Sequence, residues 1–202
     1  MSNPSVAQKP DAPRSAFIFI GPPHHGKTLA RKIFCELTGM RGGSCSDVIY
    51  AILSHFTKTP VSELQALPKE ELRPKLIELG DYLCGARDTL ELNKFTVPDN
   101  IYRGPSALLR SLFHTGALVF DGVRRKDELA HFAGILTWLG IEHRVLWVER
   151  PGCPTVSDNT EVTVDDATVV VVNDGTPSQL RAKIEALVVP PQPAEGDGGE
   201  KA

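Results

Sequence analysis

Residues 21–28 read Gly-Pro-Pro-His-His-Gly-Lys-Thr and fit the pattern G-x-x-x-x-G-K-[ST] at every fixed position. Their flanks narrow the folds open to this chain. Ser15-Ala-Phe-Ile-Phe-Ile20 is a short apolar run of β-formers that stops at Gly-Pro-Pro, the pattern of a buried strand. Beyond the loop, Leu29, Ile33 and Leu37 recur every fourth residue, Ala30 and Phe34 widen that face, and Gly39 suits a helix stop. The spacing predicts a helix from Thr28 to about Thr38. A buried strand feeding a helix in this way belongs in a parallel sheet covered on both faces.

The loop implies a chemistry. Gly26 permits backbone conformations that side chains forbid. The N–H groups around His25, Gly26, Lys27 and Thr28 then converge on phosphate oxygens at a helix N-terminus. Lys27 sets a cation on the β- and γ-phosphates, and Thr28 offers a hydroxyl to Mg²⁺. Gly21, Pro22, Pro23 and His24 complete the loop, so residues 21–28 are the expected ATP site. His24 and His25 stand at variable positions that usually point away from the phosphates. Two adjacent histidines do not make a metal site, and the sequence alone assigns them no part in the chemistry.

The rest of the chain alternates. Ser44-Cys-Ser-Asp47 fits a capping box before an apolar helix over Val48 to Phe56. A helical region from about Glu63 to Leu83 is expected to break at Pro68 and at Pro74. Pro105 to Thr115 reads as a further helix stopped by Gly116. There follow a strand over Ala117–Phe120 ending at Asp121, a helix over Lys126–Leu139 with Gly140 as its cap, and strands over His143–Val148 and Thr168–Val172. Thr176-Pro-Ser-Gln179 opens a last helix through Leu187, with Pro at its first position. Such alternation implies right-handed crossovers and an α/β fold around a parallel sheet. The helical stretch of about 44–115 is read as an insertion after the first strand–helix unit. Residues 1–15 and 189–202, rich in Pro, Gly and polar groups, are expected to be disordered tails around one domain over 16–188.

Composition excludes several classes. Apolar content of 41% with 23% charged residues describes a globular chain. Val169 to Val172, the longest aliphatic run, is too short to span a bilayer, so no membrane partner is expected. The N-terminus lacks an apolar core, so no secretory signal is expected. Cys35, Cys45, Cys84 and Cys153 form no C-x-x-C pair, which argues against a zinc site or a disulfide framework and for a reducing compartment. A net charge of −3 without a long basic run argues against a stable nucleic-acid partner. A homodimer is as compatible with the sequence as a monomer.

Ligands bind α/β sheets beyond the carboxyl ends of the strands. Three segments arrive there: Gly21–Thr28, Asp121–Arg125 and Glu149–Gly152. Asp121 closes an apolar strand, where an acid orients Mg²⁺ or its water, or else caps the helix that follows. Arg124 and Arg125, which follow at once, either neutralise a transferring phosphate or merely solvate a surface, and Arg150, just past a strand end, is better placed than other arginines for the first role. Arg31, Arg144 and Arg181 read as surface residues. Arg103 and Arg110 share a helix face if that helix starts early, and there they reach an acceptor phosphate or carry surface charge. Asp81, Arg87 and Asp88 either shape an acceptor pocket or pair with one another. No base–nucleophile pair is evident. Phosphoryl transfer needs positioned charge more than covalent machinery, and an anionic phosphate acceptor needs no strong base. A small chain with a helical insertion, able to form an acceptor pocket and lid, therefore suits a kinase.

Several segments in order carry a resemblance. They are the loop at 21–28; Arg73-Pro-Lys-Leu-Ile-Glu-Leu-Gly80; Asp121-Gly-Val-Arg124-Arg-Lys-Asp-Glu128; Val148-Glu-Arg150-Pro151-Gly152; Asp158-Asn-Thr160-Glu161; and Val172-Asn173-Asp174-Gly175. In these the chain resembles the bacteriophage-type deoxynucleoside monophosphate kinases, nearly throughout Gly116–Leu187 and in patches over 40–115. The resemblance implies a three-layer P-loop kinase fold and transfer from ATP, with Mg²⁺, to a deoxynucleoside 5′-monophosphate in the cytoplasm, that of the host if the gene is a phage's. It also implies that Arg73, Arg124 and Arg150 lie near phosphates and that Thr160 and Glu161 lie in a lid. Ile77 stands where that family often has Gln, Asp158 where His is common, and the 121–124 spacing is one residue longer. Two rival readings remain beside it. One is a P-loop kinase acting on a hydroxymethylated base in DNA, with Asp121 as base. The other is a nucleotide-binding protein without turnover, which the Pro-Pro-His-His filling of the loop favours.

Overall fold

The computed structural model describes residues 15–87, 90, 103–154 and 160–188. The expected tails apart from Ser15, which opens the first strand, lie outside the described residues, as do Asp88 and Asp158. Strands β1 (Ser15–Ile20), β2 (Gly42–Ser44), β3 (Val119–Asp121), β4 (Glu142–Glu149) and β5 (Val169–Val172) form one sheet in the order β2–β3–β1–β4–β5. Every neighbouring pair is parallel. The helices are α1 (Lys27–Thr38), α2 (Cys45–Thr57), α3 (Val61–Ala66), α4 (Lys69–Leu83), α5 (Ala107–His114), α6 (Lys126–Trp138) and α7 (Pro177–Val188).

Alternation along β1 sets the layers. Ala16, Ile18 and Ile20 point into a core with α2, α4, α5 and α6, whereas Phe17 and Phe19 point into a second core with α1 and α7. The chain is thus an α/β protein with helices on both faces of an all-parallel sheet. Phe132 of α6 is fully buried, with its ring edge-on to Phe120 of β3 at 5.2 Å. Truncating such a ring removes its transfer energy and leaves a void. Phe132→Ala is expected to lower unfolding free energy by about 3–5 kcal/mol in a urea titration.

Four expectations need correction. A short edge strand, β2, precedes the insertion at Gly42–Ser44, where no strand signal is present. Pro68 ends a helix as expected, but Pro74 sits inside α4. An interior proline costs about 3 kcal/mol. Leu72, Leu79 and Leu83 of the same helix are buried, at about 1.5–3 kcal/mol each, and together outweigh it. The fifth helix begins at Ala107 rather than Pro105, so Arg103 precedes it and shares no helix face with Arg110. Arg31 is no surface residue: it is buried, with 8% of its area exposed.

Candidate active site

The carboxyl ends of the strands meet the loop. Ser44 of β2 and Phe19 of β1 both lie in register with Asp121 of β3. Gly21 has φ 136°, and a Cβ there would strike the Val148 carbonyl of β4. Gly26, the N-cap of α1, has φ 95°, and a Cβ there would strike the Asn173 amide just past β5. Both positions therefore require glycine, for conformation and for space. The first N–H groups of a helix have no partner within the helix, and α1 begins at the loop. Lys27 Nζ donates to the Pro22 carbonyl at 2.6 Å.

His25 braces this loop. Its ring Nδ1 accepts the Arg150 N–H at 2.8 Å, and its carbonyl accepts from Asn173 Nδ2 at 3.0 Å, tying the loop to the ends of β4 and β5. Burial, then the Lys27 charge, hold its pKa below 6.5. The brace needs a deprotonated Nδ1. A depressed folded-state value makes its contribution complete above about pH 6.5, and protonation removes it as pH falls through the folded value. Thermal stability is expected to decline across that acidic range, and His25→Gln to flatten the decline in a series of melts from pH 7.5 to 5. An unchanged slope would remove the brace from the account. His24 is exposed and left-handed at φ 65°.

Asp121 is 1% exposed, with Arg31 Nε 3.3 Å from its Oδ1. That contact lacks hydrogen-bond alignment, so both carboxylate oxygens are buried with their lone pairs unmet by protein donors. Arg31 follows Lys27 by one helical turn, a spacing that puts both on one face of α1 and is the signal by which it could have been found.

A cavity of about 350 Å³ opens from the loop. Lys27, Thr28 and Asp121 line it, with Ile49 and Tyr50 from α2, Leu72, Leu76 and Ile77 from α4, and the charged residues Arg73, Asp81, Arg124 and Arg125. The structure thus brings together Lys27, Thr28, Asp121, Arg73, Asp81 and Arg124. Four other candidates, Arg87, Arg103, Arg110 and Arg150, are not among its walls. Arg150 is exposed. Arg87 pairs with Glu78 at 3.2 Å. Arg103 lies over the Tyr82 ring at 3.9 Å and donates to the Tyr82 and Arg87 carbonyls. Thr160 reaches the wall because the Glu161 and Val162 N–H groups bond the Arg124 carbonyl at 2.7 and 3.2 Å.

Three further wall residues escaped the sequence reading as site residues. Glu128, at the third position of α6, is 2% exposed, and burial pushes its carboxyl up to about 7. Cys84 Sγ donates to its Oε1 at 3.9 Å. Burial also raises the Cys45 and Cys84 thiols, so both stay protonated, and that of Cys84 acts as a weak donor. The spacing from Asp121 to Glu128, one turn into the next helix, was the available signal.

No helix among the described residues is long and apolar enough to cross a membrane. No family model matches the chain, and no curated protein matches it. Among solved structures it is similar to an APS kinase of Mycobacterium tuberculosis, at 13% identity and TM-score 0.41 over 88% of this chain and 99% of that one. It is similar also to an unliganded sugar kinase from Janibacter sp. HTCC2649, at 12% identity and TM-score 0.41 over 87% of this chain and 94% of that one. Likeness at that level assigns no activity.

Proposed function

We propose that this chain is a kinase that transfers the γ-phosphoryl group of ATP to a deoxynucleoside 5′-monophosphate, modified or unmodified. One observation carries the reading: Lys27 and Thr28 of a glycine-shaped loop share a single cavity with Asp121, Arg73, Arg124 and the apolar wall of α2 and α4. A phosphate site, a carboxylate and paired arginines beside an apolar slot suit a donor triphosphate facing an anionic acceptor with a flat ring.

The residues divide the work. The N–H groups at the start of α1 bind donor phosphates, and Lys27 adds its charge at the β- and γ-positions. Thr28 and Asp121 would hold Mg²⁺. The two unmet Asp121 oxygens fit a hard cation, which needs only one or two protein ligands when phosphates supply the rest. Mg²⁺, when bound, offsets the charge that builds between the phosphates. Arg73 and Arg124 hold the acceptor phosphate, while Ile49, Leu72 and Leu76 flank its base and keep water from it. An acceptor phosphate is already ionised, so no side chain has to remove a proton.

The test incubates purified protein with γ-labelled ATP and Mg²⁺ and, separately, each deoxynucleoside monophosphate, modified ones, and duplex DNA carrying hydroxymethylated bases. Label in a diphosphate is expected. Label in DNA would replace the reading with transfer to a base hydroxyl, and no label in any arm would leave a nucleotide-binding protein without turnover.

A further inference from the structure

The carboxyl of Glu128 lies in the cavity wall without an evident part in holding phosphates. Asp121, the other buried carboxylate described above, has a cation against it. The Glu128 carboxyl meets two neutral donors, the Arg124 backbone N–H and the Cys84 thiol, with the Arg124 and Arg125 charges also acting on it. It shares the wall with Ile49, Leu72 and Leu76. A flat ring between such apolar groups presents its polar edge to whatever hydrogen-bonding group the wall holds, and the carboxyl is buried deeply enough that water does not compete for it.

Resting on the kinase reading above, we propose that Glu128 reads the base edge of the acceptor and selects bases with an exocyclic amino group over those with a carbonyl in its place. The chemistry of the group decides the direction. An ionised carboxylate only accepts; a protonated one accepts and makes a single donation. Both forms take a hydrogen bond from an amino N–H. Only the protonated form can answer a carbonyl, and the ionised form sets oxygen against oxygen. A site that must hydrogen-bond its ligand discriminates strongly against an analogue that leaves the buried group unmatched.

Two nucleotide pairs change that group: dCMP against dUMP, and dAMP against deoxyinosine monophosphate. In each the amino group becomes a carbonyl and the adjacent ring nitrogen changes from acceptor to N–H donor, so a carboxyl that met the ring nitrogen rather than the exocyclic position would accept from the carbonyl member and bring the ratio to one or below. The amino member is expected to have the higher kcat/KM by at least ~10-fold in the better-used pair. Glu128→Gln gives the wall a permanent donor, so it is expected to shrink that ratio ~10-fold while the KM for ATP changes less than about twofold. A role confined to capping α6 would lower stability and slow every acceptor alike, leaving the ratio unmoved. Ratios near one in both wild-type pairs, or a ratio unchanged in folded Glu128→Gln, overturn the inference and leave the kinase reading standing. Should the variant fail to fold, the wild-type ratios decide alone. Transfer to none of the four nucleotides, nor to the remaining deoxynucleotides, overturns the kinase reading and this inference with it.

Discussion

Lys27→Ala is expected to lower kcat for phosphoryl transfer by at least ~10²–10³-fold, the range for removing one group aimed at transition-state charge. The loss should be large because this chemistry relies on positioned charge more than on covalent machinery. Stability should fall by only about 1–3 kcal/mol, which leaves the fold intact. The lysine Nζ bonds the Pro22 carbonyl at 2.6 Å, within the loop. Losing a hydrogen bond to a charged group costs about 1.5–3 kcal/mol, and alanine's helix propensity recovers part of that at the first position of α1. Steady-state turnover and calorimetric melting read the two effects separately. Turnover at the wild-type rate in a protein that melts normally would take the loop out of the chemistry. Lys27→Arg should not rescue, since a planar fork does not replace a compact ammonium inside a closed loop.

How much of this was legible in the sequence differs by element. β1 and α1 lie within one residue of their expected limits because each carries its own period, and Gly26 and Gly39 punctuate them with the left-handed conformations the pattern implies. The Ser44 and Thr176 capping boxes were readable for the same reason: a cap is a local bargain between side chain and backbone. β2 was not readable. Gly42-Gly43-Ser44 has no β-former, and pairing with Val119–Asp121 imposes its extension from outside. Its glycines answer tertiary needs, since a Cβ on Gly43 would meet Leu112 of α5.

The candidate site divides along the same line. The loop is contiguous, so its parts could be named together. Arg31 and Glu128 are polar residues on helices, which local pattern assigns to the solvent face or to a cap. Burial comes to them from β3 and from the end of α4, partners that no window of local sequence contains. Conversely, Arg150 follows a strand end, the position that recommends it from sequence. Its backbone N–H is indeed engaged there, with His25, while its side chain is exposed. Position past a strand end places a backbone reliably and a long side chain much less so.

Asp121→Asn is expected to lose both turnover and stability, for separable reasons. The isosteric change removes the charge that would hold Mg²⁺ and leaves Arg31, 8% exposed, without its counter-ion. Breaking a buried pair on one side costs about 3–5 kcal/mol. For a domain of this size that corresponds to a melting temperature lower by ~10 °C. Taking away the stranded charge as well reverses the second effect and not the first. Arg31→Met combined with Asp121→Asn should melt near the wild type, because an unbranched apolar side chain fills the same space without a desolvation cost. The double variant should remain as inactive as Asp121→Asn. Two assays on three proteins therefore separate the roles of one carboxylate: melting follows whether Arg31 has a partner, and turnover follows whether the Asp121 oxygens are charged. If the double variant regained turnover, the acid would be no more than a counter-ion for Arg31, and the cation site would have to be sought elsewhere along the carboxyl edge of the sheet.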